Sequence, residues 1–296
     1  MGEATLIGWD IGGAHVKASL LRGGEVVDAA QWPCPLWQGL QHLHHALAAA
    51  QQRWPALEQA EHAEHAVTMT GEMVDLFVDR EDGVQRIAAV LAQTFAPATL
   101  RFFAGDAGWC GPDQVAAQWR HVASANWLAT ALHAAMQVAE HDALLVDIGS
   151  TTTDLIALRR GHVLTTARTD AERLASSELV YHGVVRTPLC ALAQRIAWRG
   201  REHNVMNEFF ATTADVYRAT GELDAAHDQA ASADNAPKDA QATRQRLARM
   251  IGLDARDGTA DEWLAFAQEW RRHQLHALGE QLTRVKMAEL VDRKPN

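Results

Sequence analysis

Ile7-Gly8-Trp9-Asp10-Ile11-Gly12-Gly13-Ala14-His15-Val16-Lys17 lies near the start of the chain. Leu145-Val146-Asp147-Ile148-Gly149-Ser150-Thr151-Thr152-Thr153-Asp154 repeats its pattern in the middle. Each is an apolar run ending in Asp-Ile-Gly, then a turn of small residues, then a second β-type run. A strand-end aspartate can hold a metal–phosphate assembly, and glycine lets backbone N–H groups approach an anion closely. Two copies in one chain predict two similar half-domains facing one phosphate-bearing ligand.

Working outward from the first copy, Thr5 to Asp10, His15 to Leu21 and Glu25 to Ala29 read as strands, with Gly12-Gly13 and Gly23-Gly24 as turns. This is a β-meander. Gln38 to Trp54 reads as a helix with Leu40, Leu43 and Leu47 on one stripe. A strand over Ala66 to Thr70, a helix over Val84 to Phe95 and a strand over Arg101 to Ala104 follow. Ala123 to Glu140 reads as a helix rich in small residues, suited to close packing. Around the second copy, Ala143 to Ile148, Asp154 to Leu158 and His162 to Thr166 read as strands. Beyond Pro188 the pattern is helical: Leu189 to Trp198, Met206 to Ala219, Gln241 to Ile251 and Asp261 to Leu290. Between Glu222 and Thr243 few large apolar residues occur, which predicts a mobile loop. Trp263, Phe266, Trp270 and Leu275 are expected to form the apolar face of the last helix.

Bulk properties narrow the function. The 296 residues suffice for two domains, and 48% apolar content supports a large core. A net charge of −10 argues against a general nucleic-acid surface. Cys34, Cys110 and Cys190 form no CxxC pair, which fits a reducing compartment. The start Met1-Gly2-Glu3-Ala4-Thr5 has no basic leader, and no run of ~18 apolar residues occurs. The expectation is a cytoplasmic protein with no membrane span. The fifteen histidines are scattered, and His42, His44 and His45 are read as solvent-facing on a helix.

The candidate site follows from the two turns. Asp10 and Asp147 are read as catalytic carboxylates that orient a hydrated Mg²⁺. Gly12, Gly13, Ala14 and His15 would surround phosphate oxygens in the first turn, with Lys17 reaching back as a point charge. Gly149, Ser150, Thr151 and Thr152 offer backbone N–H groups and hydroxyls in the second. Asp154 either joins that site or fixes its turn through backbone N–H groups. An ordinary hairpin turn accounts for either copy alone; the repeat is what points to function. A third dense segment, Tyr181-His182-Gly183-Val184-Val185-Arg186-Thr187-Pro188, offers Gly183 for unusual backbone angles and Arg186 as a bidentate anion clamp, or is only a loop before a capped helix. Gly71-Glu72 follows a strand and would bring Glu72 to the cleft. No Gly-x-Ser-x-Gly elbow and no Walker-A lysine motif is present.

On these motifs the chain resembles the actin-like ATPase superfamily, with Asp10-Ile11-Gly12-Gly13 and Asp147-Ile148-Gly149-Ser150-Thr151-Thr152 matching its two phosphate motifs. Within it, the chain is similar to hydantoinase/oxoprolinase-like proteins of tetrahydromethanopterin- and methanofuran-linked C1 metabolism. The further segments that carry this are Thr68-Met69-Thr70-Gly71-Glu72, Ser124-Ala125-Asn126-Trp127, Gly183-Val184-Val185-Arg186-Thr187-Pro188 and Ala214-Asp215-Val216-Tyr217-Arg218. The resemblance implies an α/β, two-lobed actin-like ATPase (ribonuclease H-like) fold, with lobes over 1–140 and 141–296 and a shortened, helical C-terminal part. It implies a transferase that joins a furan-methyl diphosphate to a glutamyl-tyramine phenol and releases diphosphate. Asp147 or Glu72 would then be the general base for the phenol. The superfamily's adenosine-contacting glycine-rich segment has no counterpart before Asn296, an expectation against ATP but not against a diphosphate site. The alternatives are an ATP-dependent kinase or ring-opening hydrolase and a non-catalytic nucleotide-binding protein. Small-molecule partners are expected, and a homo-oligomer is left open.

Overall fold

The computed structural model describes residues 5–55 and 63–292, with side chains through residue 286. The start of the chain, read above for a leader, lies outside these residues. The chain divides into two compact units, Met1–Ala134 and Ala135–Asn296.

The first unit is built on a six-stranded sheet. β1 (Thr5–Ile11), β2 (His15–Arg22) and β3 (Glu25–Pro33) form the expected antiparallel meander. Gly23 and Gly24 both adopt positive φ between β2 and β3, as a tight hairpin whose twist matches its strands requires. β4 (Ala63–Met69) and β5 (Thr99–Phe103) add parallel strands on the other side of β1, and β6 (Trp109–Cys110) closes the edge in the order β3-β2-β1-β4-β5-β6. That arrangement is the α/β, ribonuclease H-like one expected. β1 is thus central, and Ile7, Trp9 and Ile11 on one of its faces are fully buried in a core shared with Val67, Ile87 and Leu91. Among the described residues the sheet is accompanied by the helices α1 (Gln41–Arg53), α2 (Arg80–Phe95), α3 (Val115–Val122) and α4 (Asn126–Gln137).

Two sequence expectations need correction here. The helix expected from Gln38 starts later, because Gly39 takes φ 139° and separates a short 3-10 turn, Leu36–Gln38, from α1. The helix expected over Ala123 to Glu140 is cut by Ser124, whose φ of 50° is left-handed and cannot propagate a right-handed helix. Ala123 before it is the non-helical cap of α3, and the helix that follows, α4, starts only at Asn126.

The second unit opens with a smaller sheet. β7 (Asp142–Ile148) pairs antiparallel with β8 (Thr153–Arg159), which also carries β9 (His162–Val163) and β10 (Leu179–Val180). Among the described residues β7 is an edge strand, so Val146 and Ile148 are 45% and 44% exposed, unlike Trp9 and Ile11 at matching places in β1. A capping box over Thr169 and Glu172 starts α5 (Asp170–Ala175).

The helical part differs from expectation in two places. Leu189 to Trp198 is only a single helical turn, α6 (Leu189–Leu192), followed by β11 (Arg195–Trp198). Ile196 and Trp198 alternate inward, and positive φ at Arg199 and Gly200 turns the chain into β12 (Arg201–Asn204). Met206 to Ala219 is helical only as α7 (Thr213–Ala219), started by a capping box over Thr212 and Asp215. α8 (Ala240–Arg249) and α9 (Ala260–Asp292) lie where expected. Trp198 stacks on Trp263 at 4.2 Å between ring centroids, at the heart of this subdomain core.

The face of α9 also needs revision. Trp263, Phe266 and Trp270 are buried as expected, but Leu275 is 47% exposed and Gln274 takes the buried position. Residues 263, 267, 270 and 274 share one helical stripe, from which 275 is rotated by a full residue step of roughly 100°. The segment read as a mobile loop between Glu222 and Thr243 is irregular up to Asp239, where α8 is capped, and it is pinned rather than loose. Asp228 pairs with Arg218 at 2.9 Å and Lys238 at 3.1 Å, and Asp234 with Arg246 and Arg249, both at 3.1 Å. No helix among the described residues is long and apolar enough to cross a membrane.

Candidate functional site

The two Asp-Ile-Gly copies fold into the same hairpin. In the first, the Gly12 N–H donates to the His15 carbonyl at 2.9 Å; in the second, the Gly149 N–H donates to the Thr152 carbonyl at 2.8 Å. Asp10 stands opposite Lys17 across β1 and β2, and Asp147 opposite Asp154 across β7 and β8. The matching registers make Lys17 and Asp154 equivalent positions of opposite charge.

In the first hairpin the Lys17 ammonium lies 3.5 Å from Oδ2 of Asp10, and the Asn126 amide donates to Oδ1 at 3.4 Å. Asn126 Oδ1 accepts from the Trp127 N–H at 2.8 Å at the start of α4, so its NH₂ end is the one that faces Asp10. The carbonyls of Gly13 and Ala14 accept from Leu36 and Cys34 at 3.0 and 2.8 Å, which fixes the turn over the chain that follows β3. Gly12 is required by close approach, because an added Cβ would stand 2.9 Å from the His15 carbonyl.

Glu72 follows β4 in a 3-10 turn, Gly71–Met73. Rather than lining an open cleft it is 1% exposed, and Ser124 donates to its Oε1 at 2.7 Å. Gly83 of α2 makes room for it: a Cβ there would come within 2.6 Å of the Glu72 carbonyl. Ser124 and Asn126, absent from the site read off the sequence, therefore hold two of its carboxylates. Their signal was present in the Ser124-Ala125-Asn126-Trp127 segment, but a helical reading of that segment hid it.

In the second unit Asp147 is exposed at the end of β7, while Asp154 is half-buried and paired with the buried Arg173 at 2.6 Å. Burial pushes the Asp154 carboxyl up; Arg173 works against that rise, and Asp147 adds to it. Of the two roles left open for Asp154, the contact observed is with a side chain. The Gly183 segment is clamped on the hairpin. Val184 donates to the Gly149 carbonyl at 3.0 Å, and Val185 and Arg186 donate to the Ser150 carbonyl at 3.1 and 2.8 Å. Gly183 packs so closely that an added Cβ would fall 2.4 Å from Ser150 and Thr151 backbone atoms. The Thr187 hydroxyl accepts from the Gly183 N–H at 2.8 Å. Arg186 is half-buried, and that burial holds its guanidinium below the usual range, with Tyr181 acting the other way. Thus Asp147, Gly149, Ser150, Thr151, Thr152, Gly183 and Arg186 come together, as do Asp10, Gly12, Gly13, Ala14, His15 and Lys17 in the first unit.

Among the described residues no group of three or more His, Cys, Asp or Glu side chains could hold a metal by itself. The exposed Asp147 carboxylate, on the same hairpin as the Ser150 and Thr151 hydroxyls, suits a Mg²⁺ that keeps its waters and shares phosphate oxygens, since that ion seldom takes an all-protein cage.

The hydantoinase/oxoprolinase family model matches residues 63–286. The chain belongs to the hydantoinase/oxoprolinase family. The span matched to this family contains Glu72, Ser124, Asn126, the Asp147 hairpin and the Gly183 segment; the Asp10 hairpin precedes it. A protein of Methanocaldococcus jannaschii called (4-{4-[2-(gamma-L-glutamylamino)ethyl]phenoxymethyl}furan-2-yl)methanamine synthase is 28% identical over 267 residues, covering 90% of this chain and 77% of that protein. A Methanococcus vannielii protein of the same name is 31% identical over 146 residues, covering 49% of this chain and 65% of that protein. Among solved structures, an Aquifex aeolicus member of the Ppx/GppA family aligns over 99% of this chain and 100% of that one, at 10% identity and a TM-score of 0.36. A likeness this slight carries no weight for function.

Proposed function

We propose that this protein is a biosynthetic transferase that makes an aryl furfuryl ether of a methanofuran-type C1 carrier. It would join a furan-methyl diphosphate to the phenol of tyramine or glutamyl-tyramine. The observation that carries the reading is the 28% identity, over 90% of the chain, with a relative whose name spells out a phenoxymethyl-furan product. In the reaction the phenol oxygen bonds to the furan CH₂, the CH₂–O bond to diphosphate breaks with its electron pair leaving on diphosphate, and the phenolic proton passes to a base.

The residues suit these demands. Diphosphate is a leaving group whose growing negative charge must be met by fixed donors. In the first unit Gly13, Ala14, His15 and Lys17 would offer N–H and cationic partners to phosphate; in the second unit Ser150, Thr151 and Arg186 would offer hydroxyl and cationic ones. Each unit has one strand-end carboxylate, Asp10 or Asp147, that would orient Mg²⁺, which when bound neutralises phosphate charge. For the proton, the exposed carboxylate of Asp147 is more accessible than Glu72, which is buried against Ser124.

The test is a diphosphate-release assay with an aminomethylfuran-methyl diphosphate and tyramine or glutamyl-tyramine, with the ether detected by mass spectrometry and ATP hydrolysis followed in parallel. The expected result is ether and diphosphate in equal amounts, without ATP. Asp10→Asn and Asp147→Asn should each lower the rate on the order of 100-fold or more, with the fold intact. ATP turnover in the absence of the furan substrate, or full activity in both variants, would overturn the reading.

A further inference from the structure

Gln274 is a polar residue on the apolar stripe of α9, 1% exposed and carrying no charge. Its amide is held at both ends. Oε1 accepts from the Tyr217 hydroxyl of α7 at 2.8 Å, and Nε2 donates to the Gly183 carbonyl at 3.0 Å. The same carbonyl accepts from the Thr213 hydroxyl at 2.8 Å and the Thr187 hydroxyl at 3.2 Å. Three side chains from three parts of the subdomain thus converge on one oxygen that has two lone pairs.

The peptide plane turns this convergence into a consequence. The C=O of Gly183 and the N–H of Val184 belong to one rigid unit and point in opposite directions. Holding the oxygen toward Thr187, Thr213 and Gln274 aims the Val184 N–H at the Gly149 carbonyl, to which it donates at 3.0 Å. Val185 and Arg186 then reach Ser150 in register. We infer that Gln274, oriented by Tyr217, is a positioning residue for the second hairpin: it sets the Gly183–Arg186 segment against the Gly149-Ser150 turn and so sets the approach of Arg186 to the anion. The anion-binding half of this inference rests on the function proposed above; the clamp itself does not.

Two measurements separate them. Amide hydrogen exchange reads the clamp, and calorimetric titration with inorganic pyrophosphate and Mg²⁺ reads the anion site. Gln274→Glu keeps the acceptor for Tyr217 but loses the donor; Gln274→Met is near-isosteric and loses both. Tyr217→Phe is a milder variant at a half-exposed position, retained in case the buried changes prevent folding. Exchange at Val184, Val185 and Arg186 is expected to rise about tenfold, with β11 and β12 unchanged and pyrophosphate affinity falling about tenfold. Unaltered exchange at these three amides, or an equal rise throughout the α7–α9 core, would overturn the inference. Faster local exchange with pyrophosphate affinity unchanged in the Gln274 variants, but lost in Asp147→Asn, would overturn its anion half. If wild type and Asp147→Asn both fail to bind pyrophosphate, the proposed function is what falls, while the exchange data still decide the clamp.

Discussion

Asp154 occupies in the second hairpin the place that Lys17 occupies in the first, each directly opposite the aspartate of its Asp-Ile-Gly segment. The first hairpin therefore pairs its strand-end carboxylate with a cation across the ladder. The second sets two carboxylates side by side and balances the inner one with Arg173 beneath. Opposite residues in an antiparallel ladder interact directly, so the exchange of sign leaves Asp147 the more electronegative strand end.

Asn126→Asp tests the donor to Asp10. Aspartate can still accept from the Trp127 N–H, so the start of α4 survives, but a second negative charge replaces the amide donor. Diphosphate release should fall on the order of 100-fold, with the thermal midpoint moving by only a few degrees. Asn126→Ala should lose less activity and more stability. Equal activity in the two variants, measured beside their melting curves, would show that charge at 126 does not reach Asp10.

Gly183 and Gly279 should respond to alanine with opposite signs. At Gly183 the new methyl group collides with the Ser150 and Thr151 backbone, which should cost about 1–3 kcal/mol or displace the second hairpin. Gly279 lies inside α9 with nothing within 4 Å, so Gly279→Ala should stabilise by up to about 1 kcal/mol. Urea unfolding of the two variants checks both.

His65 makes stability depend on pH. Its ring is buried between Trp9 and Phe95, accepts from the Trp9 indole at 3.0 Å, and has its pKa lowered to about 4 by that burial. The unfolded imidazole titrates near 6.5, so between about 6.5 and 4 the unfolded chain binds the extra proton. The contribution is fully present above about pH 6.5, declines as pH falls, and levels off below about 4, having removed roughly 3 kcal/mol. His65→Leu should be less stable at pH 7, because the Trp9 donor loses its acceptor, yet its stability should fall less steeply over the same window. Parallel slopes for the two proteins in urea titrations would contradict this.

Asp215 anchors the irregular segment that precedes α8. It accepts from Arg218 at 2.7 Å and Arg246 at 2.8 Å, and both Asp215 and Arg246 are buried. Removing the charge leaves the buried Arg246 guanidinium with only the partly exposed Asp234 as counter-charge, so Asp215→Asn should cost about 3 kcal/mol. Asp234→Asn, at a partly exposed partner of the same arginine, should cost about 1 kcal/mol or less. A urea midpoint for Asp215→Asn within error of wild type would mean that the network contributes nothing net.

Periodicity and glycine placement made the meander, the central α/β elements and the two hairpins legible, because strand alternation and turn chemistry are local. The same local reasoning failed where a conformation depends on distant partners. Ile196 and Trp198 lie on a strand whose inner face packs against Trp263 of the last helix, and Ser124, bonded to Glu72, takes a left-handed φ in a segment whose composition favours helix. Leu275 looked apolar enough for the core, but the helical phase placed Gln274 there instead.

The Asp-Ile-Gly repeat, its glycines and the identity of its carboxylates can be read from the chain alone, since they follow from residue type and short-range geometry. Folding was needed to reveal that Ser124 buries against Glu72, that Asn126 turns its amide to Asp10, and that Gln274 reaches the Gly183 carbonyl across 91 residues. A hydrogen bond is directional and specific to a pair, so partners far apart in sequence leave no trace in composition or periodicity until packing brings them into reach.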